Sequence, residues 1–160
     1  MSESFLIPSL GWLPDYPDIR DLTTHADLAP ARLNSLAQPS VKQMLGKVGA
    51  SAAAASLPIT VDLRPWCSPI EDQLSLGSCT AHAGVGLVEY FERRAFGKHI
   101  DSSRLFLYKV TRNLLHWTGD TGAFLRTTMY ALTLFGTPPE EYYRYVIADY
   151  DKEPPAFCYS

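Results

Sequence analysis

The sequence predicts a mainly helical domain behind an extended leader, on three observations. Three stretches beyond residue 78 carry apolar residues at helical spacing between capping and stop residues. Alternating strand patterns are scarce over the same region. The early segment Gly11–Asp21 follows neither period and is dense in proline, aspartate and aromatic residues. At 160 residues the chain has the length of one ordinary domain, enough to bury about 70% of the surface exposed when unfolded.

Residues 1–58 form the leader. Gly11-Trp12-Leu13-Pro14-Asp15-Tyr16-Pro17-Asp18-Ile19-Arg20-Asp21 reads as extended, turn-rich chain, because each proline disfavours helix in the residue before it. Val41–Val48 predicts about two helical turns after Ser40 as N-cap. Gly49–Ser56 has no side chain large enough to anchor it in a core and reads as an accessible linker. The domain at 59–160 opens with a strand-like Ile59–Arg64, followed by Pro65–Ile70 and a polar loop from Glu71 to Ser78. A long helix is predicted from Cys79 to Phe96. Val85, Val88, Phe91 and Ala95, joined by Leu87, give it one buried side; Arg93 and Arg94 suit its negative end, and Gly97 supplies a left-handed stop. A second helix runs from Ser103, capped by Ser102, to about Leu115. The third spans Gly122 to Phe135, closed by Gly136. Its Phe124, Leu125, Tyr130, Leu132, Leu134 and Phe135 wrap widely around the axis, predicting a largely buried helix. Pro138-Pro139 ends helical character, and Glu141–Tyr145 is irregular and aromatic.

Composition excludes several classes. With 46% hydrophobic and 19% charged residues, the chain is neither wholly disordered nor a charged-heptad coiled coil. A net charge of −3 offers no basic field for a phosphate backbone, so nucleic acid is not an expected partner. No apolar stretch approaches the 18 or so residues of a membrane span, and no membrane partner is expected. The start lacks a basic region and breaks its short apolar run at Pro8, which makes a poor secretory signal. The expected location is cytoplasmic, or outside by a route that uses no signal peptide. Three cysteines are too few for a framework of bridges; at most one pair can form.

The chemistry centres on Gln73-Leu74-Ser75-Leu76-Gly77-Ser78-Cys79-Thr80-Ala81. A cysteine in the first turn of a helix sits at the positive end of the macrodipole, which favours thiolate. Backbone N–H groups freed at that turn can receive an oxyanion. Gly77 permits close approach of a substrate, and the Gln73 side-chain amide can turn toward the same point. On spacing alone, a buried structural cysteine beside a solvent-facing glutamine is an equal reading. His82 lies on the Cys79 side of the helix but cannot take the thiol proton in line past its own backbone, and reads as helix packing. His99 and His116 serve helix ends, and His25 is exposed in the leader. Cys67, Cys79, His82 and His116 have the atoms for zinc at no recognised spacing, so neither a metal nor another cofactor is expected.

Val61-Asp62-Leu63-Arg64, Ser68-Pro69-Ile70-Glu71-Asp72-Gln73 and Gly77–Ala81 resemble the mature N-terminus of papain-like cysteine peptidases, in the form carried by bacterial members. That resemblance implies an α+β fold, present here as a leader and the mainly helical left subdomain, with the β-rich right subdomain missing. It assigns Cys79 as nucleophile and Gln73 to the oxyanion hole. Gly77, Ser78, Thr121, Gly122 and Ala123 become substrate-binding residues, since Gly119–Ala123 resembles the glycine-containing segment that pairs with extended substrate. There are departures: Thr80 stands where plant enzymes have an aromatic residue, and Leu76 where they have a bridging cysteine. Cys67 and Cys158 remain as a pair beside proline-containing turns, either bridged or both reduced. The family's histidine and asparagine lie about 130–150 residues after the cysteine, farther than this chain extends.

The resemblance therefore implies a zymogen of a cysteine-type endopeptidase, incomplete and inactive in this chain alone. The alternative is a catalytically inactive module acting in binding or inhibition. Implied partners are a peptide or protein substrate, the leader itself in the cleft, and the missing C-terminal half or another chain. Propeptides of the family usually pass through the cleft in reverse to substrate. Gly11–Asp21 suits such a groove and Gly49–Ser56 a cleavable tether, without the long helices of plant propeptides; a disordered tail is the other reading.

Overall fold

The long helix begins at Cys79 and ends at Phe96 (α1), the bounds its sequence predicts. Gly97 stops it at φ 74°, returning its N–H to the Arg93 carbonyl. The computed structural model describes residues 11–18 and 59–159. The chain divides into two compact units, one joining residues 1–15 to 62–160 and the other covering 16–61. The predicted helix at 41–48, the linker at 49–56 and His25 lie outside the described residues. Among the described residues, no helix is long and apolar enough to cross a membrane.

Besides α1, the first unit contains α2 (Arg104–Leu114) and α3 (Leu125–Phe135), followed by three short 3-10 turns. Its sheet has two parallel strands, β1 (Trp12–Leu13) and β2 (Ala123–Phe124), in the register Trp12 to Ala123 and Leu13 to Phe124. Every residue from Arg104 to Arg112 in α2 is buried. Leu105, Phe106, Leu107, Tyr108 and Val110 join Leu76, Ala81, Val85, Ala123, Ala131 and Cys158 in one core, with Tyr143, Tyr150 and Tyr159 packed against it. Buried charges in α2 have partners. Arg104 Nη2 lies 3.0 Å from the buried Glu89 carboxylate of α1. The Arg112 guanidinium meets Asp151 and the carbonyls of Gly119 and Tyr150. Such pairs stabilise the fold as pairs, since one partner left alone would be an uncompensated charge away from water.

Several expectations change. Ser103, not Ser102, caps α2: its Oγ accepts from Phe106 N at 3.1 Å, while Ser102 bridges Pro139 and donates its N–H to Glu89. The third helix starts at Leu125 because Ala123 and Phe124 are drawn into β2 by their pairing with β1. It is also less buried than its apolar pattern suggests. Thr128 and Ala131 are buried, whereas Leu125, Tyr130 and Leu134 are exposed. On α1 the buried positions are Thr80, Ala81, Gly84, Val85 and Glu89; Leu87, Phe91 and Ala95 face outward. Gly84 permits this packing, since a Cβ there would meet Leu107 and Leu132 methyl carbons at 3.1 Å. No strand forms at Ile59–Arg64. Asp62 instead accepts from the Arg64 backbone and guanidinium, and Arg64–Trp66 winds into a 3-10 turn around Pro65, which has no N–H for a ladder. Cys67 and Cys158 are not bridged. Cys67 is exposed, with its Sγ 3.6 Å from the Leu63 carbonyl, whereas Cys158 is buried in the core.

Candidate active site

The loop before α1 is closed by its own polar groups. Asp72 Oδ1 accepts from Leu74 N at 2.8 Å, which supports the left-handed turn at Leu74 (φ 53°). Gln73 Nε2 donates to the Leu76 carbonyl at 2.9 Å, and Leu76 N donates back to the Gln73 carbonyl. Tyr145 Oη donates to that same Gln73 carbonyl at 2.9 Å and shares a 2.6 Å hydrogen bond with the buried Ser78 Oγ. The His82 ring stands edge-on to Tyr145, with Nδ1 3.1 Å from the Ser78 carbonyl. His82 thus packs behind the loop, as its position on the helix suggests, and burial pushes its pKa down.

Cys79 is the first residue of α1 and is half-buried. Burial pushes its thiol up, and the N–H groups of Thr80 and Cys79 itself pull in the opposite direction. The helix start alone would favour thiolate; here burial works against it and is the larger effect. No histidine is hydrogen-bonded to Cys79 among the described residues.

A second strip of backbone faces this loop. Asp120 accepts from Gly77 N at 2.9 and 3.1 Å, and Tyr108 Oη donates to Asp120 at 2.5 Å. Gly122 N in turn donates to Tyr108 Oη at 3.1 Å. Burial and the neighbouring Asp120 raise the Tyr108 pKa far above the ordinary phenol range, which keeps its proton available for donation. Thr121 is exposed and donates its hydroxyl to the Gly122 carbonyl at 3.1 Å. With Leu13, His116, Trp117 and Thr118 it lines an open cavity of about 410 Å³.

Between the two strips lies Gly11. It is buried at φ 75°, and its carbonyl accepts from Ala123 N at 2.8 Å. A Cβ on Gly11 would fall 1.9 Å from the Gly77 carbonyl oxygen, and one on Gly122 would fall 2.2 Å from the Gly11 carbonyl oxygen. Three glycines meet because no side chain fits at the crossing. Downstream, Asp15 accepts from Arg126 N at 3.3 Å at the start of α3, where Phe124 supplies no side-chain cap.

The predicted residues Gly77, Gly122 and Ala123 thus converge on Gly11, with Ser78 and Cys79 directly after Gly77. Gln73 turns its amide onto its own loop. Cys67 is exposed and Cys158 belongs to the core, and no group of three metal-ligating side chains comes together among the described residues. Tyr108, Asp120, Arg112 and Tyr145 were not singled out from the sequence. An acidic residue between two turn glycines, Gly119 and Gly122, was the available signal for Asp120.

No family model matches the sequence, and neither does any curated protein. Solved structures do. The chain superposes on xylellain, a cysteine protease from Xylella fastidiosa, with TM-score 0.66 and 26% identity, covering 95% of this chain and 53% of xylellain. A chain from structural work on antibody cross-reactivity between the mite allergens Blo t 1 and Der p 1 matches with TM-score 0.51 and 25% identity. That match covers 60% of this chain and 33% of the other. The fold is that of the papain-like cysteine peptidases. The chain spans about half the length of xylellain. Within the papain-like fold it comprises the helices α1 to α3 and a two-stranded sheet among the described residues.

Proposed function

We propose that this chain is the nucleophile-bearing part of a cysteine-type endopeptidase, held as a zymogen by its own leader. The observation that carries this reading is the parallel pairing of β1 with β2, with Gly11 wedged against Gly77 immediately before Cys79. An extended peptide running in the opposite direction would meet the same backbone edge antiparallel. The leader occupies the peptide-binding edge but presents its carbonyls in reverse order, and so it blocks the site without being a substrate.

In the reaction, the Cys79 thiolate attacks a peptide carbonyl carbon. The Cys79 N–H and the second N–H of the Gln73 amide, the one not given to the Leu76 carbonyl, hold the resulting oxyanion. Collapse breaks the C–N bond, leaves a thioester on Cys79 and releases an amine that takes a proton from an imidazolium; water then hydrolyses the thioester. Burial opposes the thiolate that the helix start favours. An imidazole from outside the described residues would supply the missing stabilisation of the thiolate.

The test is labelling of the intact chain with a peptidyl epoxide, followed by mass spectrometry. Labelling at Cys79 is slow with the leader seated and speeds up by about tenfold or more when the leader is displaced by Gly11→Ala, following the seated fraction. Equal rates in the two proteins would contradict the zymogen reading. Labelling that avoids Cys79 in both would contradict the peptidase reading.

A further inference from the structure

We propose that Asp120 is the positioning residue for both strips of backbone that hold an extended peptide, Gly77 on one side and Gly122–Ala123 on the other. This rests on the reading of β2 as the peptide-binding edge. The direction of every bond in the link follows from donor and acceptor chemistry. An ionised carboxylate can only accept, so Gly77 N and Tyr108 Oη both donate to Asp120. Tyr108 has then used its proton and can only accept from Gly122 N. Two N–H groups from opposite strips are joined through one carboxylate and one phenol, and bonds arranged head to tail strengthen one another.

Both intermediaries are themselves fixed. The Tyr108 ring is fully buried, with the Arg112 guanidinium 4.2 Å from its centroid. Arg112 holds the Gly119 carbonyl, and Asp151 accepts from Gly119 N at 2.7 Å, so the residue before Asp120 is held by both its polar backbone groups. The Asp120 carboxylate is thereby aimed across the gap. Its bond to Gly77 N fixes the Leu76–Gly77 peptide plane and holds the Gly77 Cα against Gly11: a Cβ on Gly77 would lie 3.0 Å from Asp120 Oδ1 and 3.2 Å from the Gly11 Cα. The separation of the strips admits a residue without Cβ at this crossing. Asp120 thus sets both the register of a bound strand and its demand for glycine at that point.

The test uses the full chain and site-resolved amide hydrogen exchange, with three variants. Asp120→Ala speeds exchange at Gly77, Gly122 and Ala123 by about tenfold or more, the loss expected for a hydrogen bond to a charged group, while α2 stays protected. Asp120→Asn retains an acceptor oxygen and stays within about threefold of the parent at all three sites. Tyr108→Phe keeps the ring and removes the hydroxyl. It speeds Gly122 and Ala123 but leaves Gly77 protected by Asp120, an asymmetry that general loosening would not produce. Unchanged exchange at Ala123 in Asp120→Ala overturns the proposal, as does equal acceleration of Gly77 and Gly122 in Tyr108→Phe. Should Asp120→Ala also expose α2, Tyr108→Phe decides alone. Exchange does not depend on the nucleophile, so the clamp and the peptidase reading fail separately: the first here, the second in labelling of Cys79.

Discussion

Replacing Gly11 with alanine tests the seat of β1 at its tightest point. Gly11 holds φ 75°, a conformation that costs an L-residue about 1–2 kcal/mol. The added Cβ would lie 1.9 Å from the Gly77 carbonyl oxygen and 2.3 Å from its carbon. Both are backbone atoms, so no rotamer change can relieve the clash; the strand must lift. Lifting forfeits the 2.8 Å bond from Ala123 N, a further contribution of about 1 kcal/mol. Together these remove at least about 2 kcal/mol from the seated state, a change of about 30-fold in the ratio of seated to unseated strand. The assay is amide exchange at Ala123 in the full chain, read beside thermal melting. Exchange should accelerate by about that factor while the melting temperature moves little, because β1 contributes a two-residue strand and the core lies around α2. Exchange at Ala123 within about twofold of the parent would refute this account of the seat, given the change worked out above.

Two further predictions concern the scaffold. Glu89→Ala leaves Arg104 buried beside an empty position and should lower stability by about 3–5 kcal/mol in urea unfolding; a loss under about 1 kcal/mol would show that Asp101 and the Ser102 carbonyl suffice. His82 has its pKa pushed down by burial, with Ser78 opposing and Arg104 reinforcing. The unfolded chain then binds the proton more readily than the native one. Stability falls as pH drops through the unfolded value of about 6.5 and levels off below the native value. His82→Gln should flatten that slope relative to the parent, and an unchanged slope would show that His82 does not titrate with unfolding.

How much of this could be read beforehand depends on where the cause of each feature lies. For α1 it is local: an apolar rhythm, two arginines at the end and Gly97 make the boundaries legible. The start of α3 is not legible, because Ala123 and Phe124 become a strand only by meeting Trp12 and Leu13 from far earlier in the chain. Hydropathy also inverts the burial of α2 and α3. Arg104 and Arg112 look like surface residues until Glu89 and Asp151 are placed beside them, whereas Leu125, Tyr130 and Leu134 look like core and are not. In the site, the spacing of Gln73, Gly77 and Cys79 was visible, and so was the glycine segment around Gly122. The link between them through Asp120 and Tyr108 was not, since neither residue is unusual until the loops are folded together.

Reagent selectivity between two thiols tests the assignment of Cys79 most directly. Cys67 is exposed and Cys79 half-buried, so a small neutral reagent such as iodoacetamide should favour Cys67 at about pH 8, where access and thiolate fraction control the rate. A peptidyl epoxide, offered to the Gly11→Ala chain, should reverse that order and modify Cys79 first if, as proposed, the edge formed by Gly77, Gly122 and Ala123 holds the peptide. If the epoxide follows exposure and takes Cys67 ahead of Cys79, Cys79 is not the nucleophile of a peptide-binding site.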